Sequence, residues 1–317
     1  MMRSLSIILP ALFLLLCIGG PLQAAAPTSP IEAKLPEISR ACAQCHEEVY
    51  HSFMGNVHAR LDAFEFAGTT GGCEACHGSA QKHLDSGEKA DILSFKEKSA
   101  AEINTLCGKC HYNGEFSSWA HGQHARNGLA CTECHTIHKG NGKPSTDQLA
   151  LCGRCHDDVR AKMFYPSHHP VREGKMQCTS CHNPHGSDGV DGLRTAERKN
   201  DLCFSCHSRY QGPFIYEHAP VMEDCGICHS PHGTAANNLL RQNEPFLCLQ
   251  CHTLHFHAGR VGDEGTKTIN PGTSDNPWGR QGWVKAYGTK CSQCHSQIHG
   301  SDNPSQSLPG RGRALTR

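Results

Sequence analysis

Residues 178–187 read "CTSCHNPHGS": two cysteines with two residues between them, a histidine directly after the second, and another histidine three residues on. Thiols at this spacing reach the two vinyl groups on one porphyrin edge. The adjacent His182 then swings beneath the ring to the iron, which is the pattern of c-type haem attachment. His185 cannot share that iron, because axial ligands lie on opposite faces and three residues cannot carry the chain around a macrocycle. It binds the iron of a different haem or is idle. If it ligates, one short stretch of backbone ties two irons together, a splice between neighbouring haems.

The same C-x-x-C-H unit occurs ten times. The thiol pairs are Cys42 and Cys45, Cys73 and Cys76, Cys107 and Cys110, Cys131 and Cys134, Cys152 and Cys155, Cys178 and Cys181, Cys203 and Cys206, Cys225 and Cys228, Cys248 and Cys251, and Cys291 and Cys294. The histidines that follow are His46, His77, His111, His135, His156, His182, His207, His229, His252 and His295, the proximal iron ligands of ten covalently bound haems. Cys17, inside the leader, is the only cysteine left over. A disulfide framework gives no reason for a histidine after every second cysteine. Tetrahedral zinc does not require this five-residue unit ten times, and a thioredoxin-like redox pair would occur once.

The units alternate. Plain ones preceded by leucine ("LCGKCH", "LCGRCH", "LCFSCH", "LCLQCH") are followed by units trailed by a further histidine ("CTECHTIHKG", "CTSCHNPHGS", "CGICHSPHGT"). This divides the chain into five two-haem repeats, 42–83, 107–138, 152–185, 203–232 and 248–299, within a cytochrome domain spanning 27–317. Each repeat has one trailing histidine: His83, His138, His185, His232 and His299. Each also has one or two mid-repeat histidines, of which local echoes select His58, His124, His168, His218 and His257. Together these supply ten distal ligands, since neutral imidazole is a common iron ligand. The alternative, methionine, is too scarce: beyond the leader only Met54, Met163, Met176 and Met222 occur.

Residues 1–26 ("MMRSLSIILPALFLLLCIGGPLQAAA") have the charge, apolar run and small-residue exit of a signal peptide, so export is expected. Hydrophobic residues make up 37% of the sequence, below the usual share, and Gly (32) and Pro (17) favour irregular backbone. The expected fold is a multihaem cytochrome c, mostly irregular with short α-helices, little or no β, and a haem stack in place of a side-chain core. A helix is expected near "SFKEKSAAEINTLCGKCH" with Ser94 as its cap, and an ordered surface loop across 258–290. With 30 basic and 30 acidic residues there is no basic patch for nucleic acid. Haem propionates would make the loaded protein acidic, by roughly one charge per haem.

Ten sites in doubled units, "CHNPHGS", "CHSPHGT" and the ending "CSQCHSQIHGSDNPSQSLPGRGRALTR" resemble the decahaem MtrA/DmsE family over essentially the whole exported chain. The resemblance implies a non-catalytic electron carrier at the periplasmic side of the outer membrane, inserted into a β-barrel porin. Its expected partners are a periplasmic or inner-membrane cytochrome donor and an outer-surface multihaem cytochrome or reductase. The competing readings are a soluble periplasmic shuttle, a nitrite- or hydroxylamine-type reductase and a haem filament subunit. A reductase needs an open iron position, whereas here all ten motifs end in histidine.

Overall fold

In the computed structural model the described residues are 37–60, 71–140, 143–194, 198–252, 288–303 and 315. The signal peptide, nearly all of the 258–290 loop and His257 lie outside them.

Among the described residues the chain forms short helices and 3-10 turns, with no strand. The longest helix, Ala100–Gly108, falls within the stretch where one was expected, but its cap is Ser99 rather than Ser94. Ser94 only opens a 3-10 turn, Phe95–Glu97, without a side-chain cap bond. Ser99 wins because Glu102 stands three residues on: Ser99 Oγ accepts from the Glu102 amide while the Glu102 carboxylate accepts from the Ser99 amide, a reciprocal box. Those bonds and Lys98 hold the Glu102 carboxyl down at about 2, with Lys98 the largest cause.

Side chains do not fill the interior. The largest fully buried ones are Asn56, Asn200 and Ser39, while Tyr112, Phe164 and Ile215 are left 60%, 57% and 73% exposed by the polypeptide. Order comes instead from polar clasps. In every repeat a residue three or four positions before the plain unit accepts an amide at the start of the second unit. Ser39 and Asn104 accept from Cys73 and Cys131, Gln148 accepts from Thr179, and Asn200 and Glu244 accept from Cys225 and Ser292, at 2.8–3.2 Å.

A second set of contacts joins successive repeats. Ser167 pairs antiparallel with Thr234, and Tyr216 with Ser301, so a mid-repeat stretch lies against the trailing stretch of the next repeat. Space for that crossing comes from Gly186, Gly233 and Gly300, each directly after a trailing histidine at φ 105°, 146° and 124°. A Cβ at Gly233 would overlap the Lys162 carbonyl, and one at Gly186 the Ser118 carbonyl.

Candidate haem sites

Each C-x-x-C-H unit closes the same turn. The carbonyl of the first cysteine accepts from the amides of the second cysteine and of the histidine, the latter at 2.8–3.1 Å in all ten. Both thiols thereby start from one turn with the imidazole beside them. Within each repeat the two turns also meet. The first cysteines of the two units hydrogen-bond, Cys42 with Cys73, Cys107 with Cys131, Cys152 with Cys178, Cys203 with Cys225 and Cys248 with Cys291. As free thiols one member is pulled down by its partner, Cys73 to about 6 and Cys131, Cys178 and Cys203 to about 7. Burial pushes Cys248 up to about 12.

Opposite each of nine of these histidines stands a second imidazole. Trailing histidines face His46–His83, His77–His138, His135–His185, His182–His232 and His229–His299. Mid-repeat histidines face His111–His58, His156–His124, His207–His169 and His252–His218. Ring centres are 5.8–6.3 Å apart in all nine. An imidazole nitrogen sits roughly 2 Å from a bound metal and the ring centre about 1.1 Å beyond, so two imidazoles on one metal have centres about 6.2 Å apart. The gaps fit one iron each.

The nitrogens are arranged to match. Nδ1 of His77, His83, His124, His169, His182, His218 and His229 donates to a main-chain carbonyl at 2.8–3.0 Å. That fixes the tautomer with its lone pair on Nε2, the form a metal needs. Burial lowers the pKa of His58, His138, His185, His232 and His299, which keeps these rings neutral and able to ligate.

One expected residue is displaced. His168, selected by its "H-x-P-V" echo of His218, has Nδ1 on the Tyr165 carbonyl at 2.6 Å and Nε2 on the Glu173 carboxylate at 3.0 Å. Neither nitrogen is left for iron, and His169 stands opposite His207 instead. The bridge register decides this: Ser167, two before His169, pairs as Tyr216, two before His218, does. His51 lies against Glu47 at 3.9 Å and is largely exposed, and His121 is also exposed. The last expected distal ligand, His257, lies outside the described residues.

The pairs also cross repeat boundaries, which the sequence pattern did not reveal. Except for His83, every described opposing imidazole comes from a neighbouring repeat. The carbonyl that holds each mid-repeat histidine also belongs to the next repeat, one residue before its trailing histidine: Pro184 for His124, Pro231 for His169 and Ile298 for His218. At the first junction Asn56 relays the same link, accepting from His58 Nδ1 at 2.8 Å and donating to the Ile137 carbonyl at 2.7 Å.

The doubled CXXCH motif model matches residues 168–212 and 218–255, a frame that takes the second unit of one repeat with the first of the next. The model of cytochrome c-type NrfB-like proteins matches residues 73–146. Over 282 residues the chain is 35% identical to the multiheme cytochrome MtrA of Shewanella baltica (strain OS185), covering 86% of this chain and 81% of that protein. The chain belongs to the MtrA family of multihaem cytochromes. As an MtrA-type protein it binds c-type haems covalently and transfers electrons. A solved undecaheme cytochrome from the S-layer of Carboxydothermus ferrireducens is 19% identical, covering 78% of this chain and 33% of that one. Its TM-score of 0.15 carries no argument about this fold.

Proposed function

We propose that this MtrA-type protein is an exported decahaem electron conduit, held by an outer-membrane β-barrel porin and serving respiration on extracellular acceptors or the reverse flow. The observation that carries this reading is the set of nine imidazole pairs, eight of which cross from one repeat to the next among the described residues. Haem supplies the one-electron Fe(III)/Fe(II) couple when bound.

The chain's own residues would supply two imidazoles to each iron, which would leave no position open for a substrate and favours electron transfer over catalysis. The distal ligands in this reading are His58, His83, His124, His138, His169, His185, His218, His232 and His299. His257, selected by its local echo, is assigned to His295, completing ten. Contact between first cysteines within a repeat brings two thioether-bearing edges together, and the shared histidine stretches bring successive repeats together. Electrons enter from a periplasmic or inner-membrane cytochrome and leave to an outer-surface multihaem cytochrome or reductase, or run the opposite way. No described helix is long and apolar enough to cross a bilayer.

Gentle solubilisation of native outer membranes and purification through a tag tests this. A β-barrel protein co-eluting in a fixed ratio is the expected result. A monomer without a barrel would reduce the reading to a periplasmic shuttle, and carbon monoxide binding to the fully reduced protein would point to an open iron and an enzyme.

A further inference from the structure

Two repeats place an aromatic ring against equivalent imidazoles. The Tyr210 ring centre is 4.3 Å from His299 and 6.4 Å from His207, and that of Phe116 is 4.5 Å from His185 and 5.0 Å from His111. In both, the ring meets the histidine of the repeat's first unit and the imidazole that opposes its second unit, His299 across from His229 and His185 across from His135. Tyr210 is placed by the turn Ser208–Tyr210 that follows His207 directly, its amide donating to the His207 carbonyl at 3.0 Å.

The residues before the two rings have opposite charges. Arg209 lays its guanidinium over the Tyr210 ring, 4.6 Å from the centre, a cation–π contact that fixes the charge beside His299. Arg209 is exposed and, among the described residues, has no carboxylate within ion-pair distance. Arginine stays charged at any working pH. Glu115, before Phe116, is instead bound to Arg194 at 2.6 Å. Burial is the first cause lowering the His299 pKa, and the charges of His229 and Arg209 add to it. At His185 burial and His135 act the same way, but Glu115 works against them. A field that opposes a proton on an imidazole also opposes added positive charge on an iron beside it, and the ferric state has one charge more than the ferrous.

We infer that Arg209 raises the reduction potential of the haem at Cys225, a contribution that the haem at Cys131 lacks. This rests on the ligand reading above, with His229 and His299 on one iron. Arg209 is no ligand itself: it acts through His299, against which Tyr210 holds it.

Spectropotentiometric titration of the haem-loaded protein carrying Arg209→Gln, at equal haem content, is the test. One component should move to lower potential while the others stay in place. Arg209→Lys keeps the charge and should leave that component near its original position. Because the charge is exposed, the gap between the unaltered protein and Arg209→Gln should narrow as salt is raised. Superimposable titrations overturn the inference, since the charge then does not reach the iron. Equal shifts from Gln and Lys also overturn it, since packing rather than charge is then felt. His299→Met assigns the component, because it should raise the potential of the same haem, and in that background Arg209→Gln should move the displaced component. The two readings fail differently: no methionine-ligated haem in His299→Met would refute the ligand assignment and this inference with it, whereas a methionine-ligated haem that Arg209→Gln leaves in place would refute only the role of Arg209.

Discussion

Trailing and mid-repeat histidines reach their partners by different routes, and the geometry records it. The five trailing histidines lie nearly parallel to the rings they face, at 14–24°. The four described mid-repeat histidines range from 26° to 77°. Most trailing histidines stand three or four residues beyond a proximal histidine in a turn that every unit repeats, and three are followed by a positive-φ glycine that lets the chain cross. Their orientation is inherited from an anchored turn. A mid-repeat histidine sits on a stretch of variable length and takes its aim from a carbonyl of the next repeat. One class is set locally and the other by assembly.

The most damaging way to break this contrast is Gly233→Val. Its φ of 146° and the Lys162 carbonyl exclude a side chain, so a loss of about 3 kcal/mol or more is expected. Haem quantitation and thermal unfolding should report incomplete loading, with the pair His182–His232 affected first. Next come ligand exchanges. His185→Met should give one methionine-ligated haem of raised potential, at Cys131 rather than at Cys178. His169→Met should do the same at Cys203, and His168→Met should leave every iron unchanged. A spectral change from His168→Met would reverse the assignment.

A smaller effect is expected at the first junction. Asn56→Ala removes the relay and leaves the Ile137 carbonyl and His58 Nδ1 unpaired, at about 1–3 kcal/mol. Chemical denaturation should register that loss while the haem count stays the same. The finest test alters nothing: electron paramagnetic resonance of the oxidised protein should contain two low-spin classes. Ordinary rhombic signals would come from the near-parallel pairs, and strongly anisotropic ones from His58–His111, His124–His156 and His169–His207. A single class would mean the ring angles do not persist once iron is bound.

These contrasts explain what was legible in the residues. The ten attachment motifs and the irregular short-helix fold could be read directly, because covalent attachment requires fixed spacing; the trailing histidines stand opposite the histidines of other units. The choice between His168 and His169 could not, because adjacent histidines differ only in which one a distant bridge, Ser167 with Thr234, aims inward. The helix cap was misread by five residues although the Ser99-x-x-Glu102 pattern was present to be used. The clasps of Asn104, Asn200 and Gln148 were also missed. Polar residues near a leucine look like surface until the amide they accept from is brought beside them.

Because each repeat lends imidazoles to its neighbours and borrows others back, no repeat is finished by itself. A copy inserted in the middle would receive one pair and donate another, leaving both ends undisturbed. The conductor can therefore be lengthened or shortened in steps of two haems, as a chain of links can. In synthesis from the N-terminus, the second unit of each link but the last meets its opposing imidazole only once the following link has been made.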